Sequence, residues 1–153
     1  MLLIPFVAGG ERYALPAADV HRVTPVPRLR PIPHTPSWLR GFFRYQGAIL
    51  AAVDLSMLLC GEACANRLST RLILVGRRPE DATSPALGLI AERVTGTLSV
   101  EAEKVLQQGL RLPDAPWLGC VFGLEQALLQ LVHWEPLWTD GTAARMREIR
   151  PEA

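Results

Sequence analysis

Three cysteines and three histidines have the most chemical reach in this chain, and their spacing argues against a catalytic or metal centre. Cys60 and Cys64 form a C-x-x-x-C pair. A structural zinc site takes four ligands, and neither a second cysteine pair nor a nearby histidine completes one. An odd number of cysteines without framework spacing fits reduced thiols in a reducing compartment. Cys60 reads as helix-packed, Cys64 as a loop thiol, and Cys120, within an apolar strand, as a small core residue. His21, His34 and His133 stand in separate segments, none in a metal motif such as H-E-x-x-H. Gly9-Gly10 lacks the lysine and the following helix of a phosphate loop. Glu92, Glu101, Glu103 and Glu125 read as solvated carboxylates. A concealed Cys or His centre would announce itself by a thiol of depressed pKa and rapid alkylation.

A second constellation is basic and aromatic. Arg28, Arg30, Arg40 and Arg44 are interleaved with Trp38, Phe42, Phe43 and Tyr45. Aromatics among arginines can stack single-stranded nucleic acid on a small β-barrel. The same mixture is enriched at protein–protein interfaces. The 16 basic residues are offset by 15 acidic ones, for a net charge of +1. That balance gives no electrostatic case for nucleic acid or an anionic membrane, so the protein interface is the stronger reading and single-stranded nucleic acid the alternative.

The elements that must carry these residues are short. Thirteen prolines and twelve glycines are spread as punctuation, which favours many strands and turns over a few long helices. Apolar runs at 2–7 and 13–15 flank Gly9-Gly10, a β-hairpin signal, and runs at 42–45 and 48–53 flank Gln46-Gly47, a second one. A weaker strand signal covers 20–26. Asp54 is a suitable N-cap and Gly61 a suitable stop for a short helix over 54–60. Strands are expected at 71–76 and 86–91 around a polar loop, and at 94–100 with a bulge at Gly96. Residues 101–116 read as irregular. A closing hairpin joins 117–122 to 127–132, a short turn or helix kinked by Pro136 covers 134–138, and a charged tail follows with a surface helix expected at 143–149.

Pro25, Pro27, Pro31, Pro33 and Pro36 force an extended connection outside any ladder, and Val26, Leu29 and Ile32 are expected to tuck in beneath it. Closely spaced hairpins without βαβ units predict a mainly β chain of small barrels. A break near 61–69 predicts subdomains over 1–62 and 68–138, with strands open to exchange, and a tail over 139–153. The first residues carry no basic n-region, and no apolar run reaches the ~18 residues of a membrane span. A cytoplasmic protein is the expectation.

Five segments in order carry a family resemblance. F-V-A-G-G-E-R-Y-A-L-P, at 6–16, resembles the opening hairpin of CheW-like domains. I-P-H-T-P-S-W-L-R-G at 32–41 resembles its P-x-x-P-x-W/F-hydrophobic-x-G segment, and F-F-R-Y-Q-G-A-I-L-A-A-V-D-L at 42–55 resembles its most distinctive stretch. A-L-G-L-I-A-E-R-V-T-G-T at 86–97 and W-L-G-C-V-F-G-L-E-Q-A-L-L-Q-L-V at 117–132 resemble its later strands and closing hairpin. The resemblance implies two intertwined five-stranded barrels. It implies a non-catalytic adaptor, without cofactor, that couples the cytoplasmic tip of methyl-accepting chemoreceptors to the regulatory domain of a CheA-type histidine kinase. It also implies recruitment to membrane-associated receptor arrays.

The departures are specific. The family's arginine before the hairpin glycine corresponds here to Gln46, and the acidic residue of its strand matching Val20 to Val23 corresponds to Arg22. In the family these two side chains can pair across the subdomains, so here the pair is replaced as a unit, which strands no charge. The proline usual before Val-Asp-Leu is Ala51. By position, the resemblance carries receptor contact to Val20, Arg22, Val23 and Gln46, and kinase contact to barrel edges at Leu89, Ala91, Val94 and Thr95. Gly41, Gly47, Val53, Asp54 and Leu55 take structural roles. The double change points to an adaptor with its own partner set, in a pathway other than flagellar swimming.

Overall fold

Tight two-residue turns set the ladder registers. A computed structural model of the chain describes residues 1–76, 85–101, 104–107 and 113–138. Gly9 and Gly10 both take positive φ, at 59° and 78°, and bring β1 (Leu2–Ala8) against β2 (Glu11–Pro16). Gln46 and Gly47 do the same, at 45° and 82°, between β4 (Leu39–Tyr45) and β5 (Ala48–Asp54). Two successive positive φ values match the right-handed twist of paired strands, which is why such turns favour glycine. The remaining strands are β3 (Val20–Pro25), β6 (Arg71–Val75), β7 (Leu87–Ala91), β8 (Leu98–Ser99), β9 (Val105–Gln107), β10 (Leu118–Leu124) and β11 (Ala127–Val132).

These strands form two sheets, β8-β1-β2-β11-β10-β9 and β3-β6-β7-β5-β4. Both are closed by a chain that changes partner. Residues leaving β3 reach the far edge of their own sheet, where Arg30 and Phe42 exchange both backbone hydrogen bonds at 2.9 and 2.8 Å. In the other sheet, successive strands β8 and β9 lie on opposite edges, against β1 and β10. Among the described residues the two sheets have six and five strands, the mainly β architecture expected. The first barrel joins the two ends of the chain; the second is its middle. A division at 61–69 does not separate them, because each sheet takes strands from both sides of it.

Period-two alternation then fills three cores. Leu3, Ala14, Phe122, Leu129 and Leu131 fill the terminal barrel. Phe43, Leu50, Ala52, Leu72, Leu74 and Ile90 fill the middle barrel. The largest core lies where the outer faces meet: Ile4, Phe6 and Leu15 from one barrel pack with Val53, Ile73, Val75, Leu87 and Leu89 from the other. Strands β6 and β7, and β5 from Leu50 onward, are therefore covered on both faces.

Local signals hold with some corrections. Asp54 caps α1 (Leu55–Cys60) by accepting from the Met57 amide at 3.0 Å, and Gly61 ends it in the left-handed region at φ 79°. Pro136 lies in the first turn of α2 (Glu135–Leu137), where a missing N–H costs nothing, so it starts the helix and does not kink it. In the proline-rich connection Ile32 is buried and Leu29 half-buried, but Val26 is exposed. The strand expected over 94–100 is confined to Leu98–Ser99, because Arg93 turns to φ 54° and Val94 donates to the Ser69 carbonyl as the chain passes between barrels. The irregular stretch over 101–116 contains β9. Residues 77–84 of the polar loop expected over 77–85, and the tail at 139–153 with the helix expected there, lie outside the described residues.

Candidate interaction surface

Among the described residues, strand β3 has only β6 as a ladder neighbour. The register slips at His21, so that Val20 faces Val75 while Arg22 faces Leu74. That bulge separates the fates of neighbouring residues. Val20 is buried in the core between the barrels, Val23 is half-buried against the same core, and Arg22 is exposed. Gln46 is exposed at the β4–β5 turn. Arg22 and Gln46 therefore belong to one barrel, not to two, so a pairing between subdomains does not describe their positions.

On β4 the exposed side chains are cationic. Arg40 and Arg44 flank half-buried Phe42, and Arg30 stands directly opposite Phe42 across the bridge. Next to Arg44 on β5 is Ile49, 53% exposed. The aromatics do not form a stacking platform. Phe43 is buried, and Trp38, Phe42 and Tyr45 are packed against core clusters. This surface offers arginine and aliphatic groups without free rings, which suits a protein partner better than unstacked bases.

The four residues expected at the kinase contact divide. Leu89 and Ala91 lie on β7, the central strand of its sheet, and both are essentially inaccessible. Their apolar side chains belong to the core between the barrels, so they are removed from the surface. Val94 is half-buried and Thr95 exposed in the crossing segment.

Beneath the surface, Asp54 is a polar hub. It is fully buried and accepts from Arg40 Nη1 at 2.8 Å, from the Met57 amide and from the Cys64 amide at 3.0 Å. The thiols are free. Cys60 is exposed at the end of α1 and its Sγ donates to the Ser56 carbonyl at 3.1 Å. Burial, and then Asp54, push the Cys64 thiol far above its ordinary value, and burial also raises Cys120. Neither is a thiolate nucleophile at neutral pH. Among the described residues no cluster of His, Cys, Asp and Glu could hold a metal ion.

Sequence reasoning missed two further surfaces. Asp19, Pro116, His133, Trp134, Glu135 and Pro136 line a cavity of about 290 Å³ at one end of the terminal barrel. Burial raises the Asp19 pKa, Glu135 raises it further, and His133 and the Trp134 indole oppose the shift. That indole N–H is near enough to favour the Asp19 charge, yet no hydrogen bond closes. These residues are remote in sequence, so no local spacing could announce them. On the outer face of the same barrel, Leu106 and Leu128 are exposed on either side of Gly123. Leu128 was detectable as an apolar residue at a solvent position of an alternating strand.

The comparisons agree with this architecture. The family model described as the CheW-like domain matches residues 3–140. The chain is similar to the solved scaffolding protein TtCheW of Thermoanaerobacter tengcongensis, with 18% identity and a TM-score of 0.71 over 87% of this chain and 85% of that one. No curated protein matches. Among the described residues no helix is long and apolar enough to cross a membrane.

Proposed function

The chain belongs to the CheW-like domain family, and from that membership we propose that it is a non-catalytic adaptor coupling methyl-accepting chemoreceptors to a CheA-type histidine kinase. The observation that carries this reading is the β3 edge, where exposed Arg22 adjoins half-buried Val23 on a strand with one ladder neighbour among the described residues. A helical receptor tip docks by a few apolar anchors with charged residues around them. Val23 supplies an anchor and Arg22 its charged neighbour, and receptor contact extends to exposed Gln46 on the β4–β5 turn. Kinase contact falls to Val94 and Thr95 in the crossing segment. The similarity to a scaffolding protein supports the same role.

Arg22 presents a cation where the family presents an acid, which selects receptors of complementary charge and so a pathway of its own. Calorimetry with receptor-tip fragments and kinase regulatory domains from the same organism tests this. One receptor and one kinase should bind at micromolar affinity, and Arg22→Glu should weaken the receptor about tenfold while leaving thermal unfolding unchanged. Binding to neither partner would overturn the coupling role. Salt-sensitive retention on single-stranded DNA would instead favour the nucleic-acid reading.

A further inference from the structure

Pro27 and Pro31 hold the chain between them extended, and the pleat then sorts its side chains. Leu29 packs against the core of the middle barrel, while Arg28 and Arg30 on either side of it are exposed. Arg30 stands opposite Phe42 on β4, and Arg44, two residues on, stands opposite Ile49 on β5. Residues two apart on a strand, and residues opposite one another on paired strands, share a face. The outer face of this barrel therefore gathers Arg28, Arg30, Phe42, Arg44 and Ile49. At one end that face is covered, because Ala51, opposite Phe42, belongs to the core between the barrels. Phe42 leans on the same core and is half-buried, whereas Ile49 is 53% exposed.

The arginines on this face lack counter-charge. Arg40 has its carboxylate in Asp54, but among the described residues Arg28, Arg30 and Arg44 form no ion pair. The carboxylates on the described residues of this barrel are that buried Asp54 and Glu62, which lies past the end of α1. Three cations gathered around an exposed isoleucine repel one another in the free protein, and an anionic partner relieves them. Phosphate alone, free or in nucleic acid, would neutralise the arginines and leave Ile49 in water, and the face has no free ring to stack a base. Insertion into a bilayer needs apolar side chains that project, and Phe42 is held down by the core. An extended peptide answers both parts of the face. Its alternate side chains recur at roughly 7 Å, the spacing of successive rows on a strand, so acids and an aliphatic group on one side of it meet arginines and isoleucine together.

We propose that this face docks an acidic protein segment of the pattern acid-x-aliphatic-x-acid, its carboxylates on Arg28, Arg30 and Arg44 and its aliphatic side chain on Ile49. Arginine suits this task because its planar fork takes a carboxylate through two parallel hydrogen bonds. The docking goes beyond the coupling role: it uses neither Arg22 and Val23 nor Val94 and Thr95, so it stands or falls apart from receptor and kinase binding.

Fluorescence anisotropy of the full chain tests it, with a labelled peptide centred on Glu-Ser-Leu-Ser-Glu in about 25 mM NaCl, where screening is weak. The peptide should bind at micromolar affinity, and about 500 mM NaCl should weaken it at least about tenfold. Peptides with Gln for both Glu, or Ser for Leu, should each bind about tenfold more weakly. The double variant Arg30→Gln/Arg44→Gln should lose about tenfold and Ile49→Ser about threefold, while Arg22→Gln stays within about twofold of the wild type. Circular dichroism melts establish folding, and should the double variant not fold, Ile49→Ser and the exchanged peptides still decide the matter. Absence of binding, equal binding of either exchanged peptide, or an equal loss in Arg22→Gln would overturn the proposal. Tighter binding of oligo-dT or of phosphatidylglycerol vesicles than of the peptide would overturn it as well, and would assign the face to nucleic acid or to a membrane.

Discussion

Arg40 Nη1 lies 2.8 Å from Asp54 Oδ2, with the arginine side chain 40% exposed and the aspartate fully buried. The pair joins a surface strand to the start of α1, and the same carboxylate accepts from the Met57 and Cys64 amides. One side chain thus fixes the entry of the helix and the loop that leaves it. Asp54→Ala would orphan two backbone donors and remove an N-cap, losses worth ~1–3 kcal/mol and ~1 kcal/mol respectively. The expected destabilisation in urea unfolding is about 2–4 kcal/mol. Asp54→Asn should recover part of it, since the amide oxygen can still accept from one amide. Equal losses in the two variants would mean that the ion pair, and not the cap, dominates.

Gly41 tests how the middle barrel closes. Its φ is 146°, and an added Cβ would collide with the Arg30 carbonyl. That carbonyl accepts from Phe42, so the collision falls on the bridge that closes the barrel. Gly41→Ala combines backbone strain with a backbone clash and should cost about 2–4 kcal/mol. Gly47→Ala, at φ 82° with open space around it, meets strain alone and should cost about 1–2 kcal/mol. Chemical denaturation ranks the two, and hydrogen exchange should show the Arg30 and Phe42 amides released in Gly41→Ala only.

Hairpins, the capped helix and family membership were legible in the sequence because each rests on local chemistry: paired turn glycines, an Asp before an apolar run, a Gly after it. The chain-crossing geometry was not. Leu89 and Ala91 sit in a short apolar run, and such a run reads equally as an edge or as a strand covered on both faces. Only the parallel pairing of β5 with β7, between segments more than thirty residues apart, makes β7 central. The bulge at His21 likewise decides which of Val20 and Arg22 faces solvent, and no residue type there demands it. The cavity beside Asp19 is assembled from 19, 116 and 133–136, so it exists only once β2 and β11 lie side by side.

Asp19 gives the pH signature of that cavity. Burial is the first cause of its raised pKa and the Glu135 carboxylate the second, while His133 and the Trp134 indole pull the other way. A carboxyl whose folded pKa exceeds its unfolded value binds its proton more tightly in the folded state. Stability then falls as pH rises from the unfolded value through the folded one, and the penalty persists at neutral pH. Asp19→Asn removes the penalty. Because the group is only half-buried, solvent screening holds the gain below ~1 kcal/mol, a rise of about 1–3 °C in Tm at pH 7. Below about pH 3 the wild-type carboxyl is protonated in both states and the two melting curves should converge. Adding Glu135→Gln to the wild type should move Tm in the same direction by less, since it removes only the second cause. An Asp19→Asn variant that melts lower at pH 7 would show that the carboxylate is held by its neighbours and not merely tolerated among them.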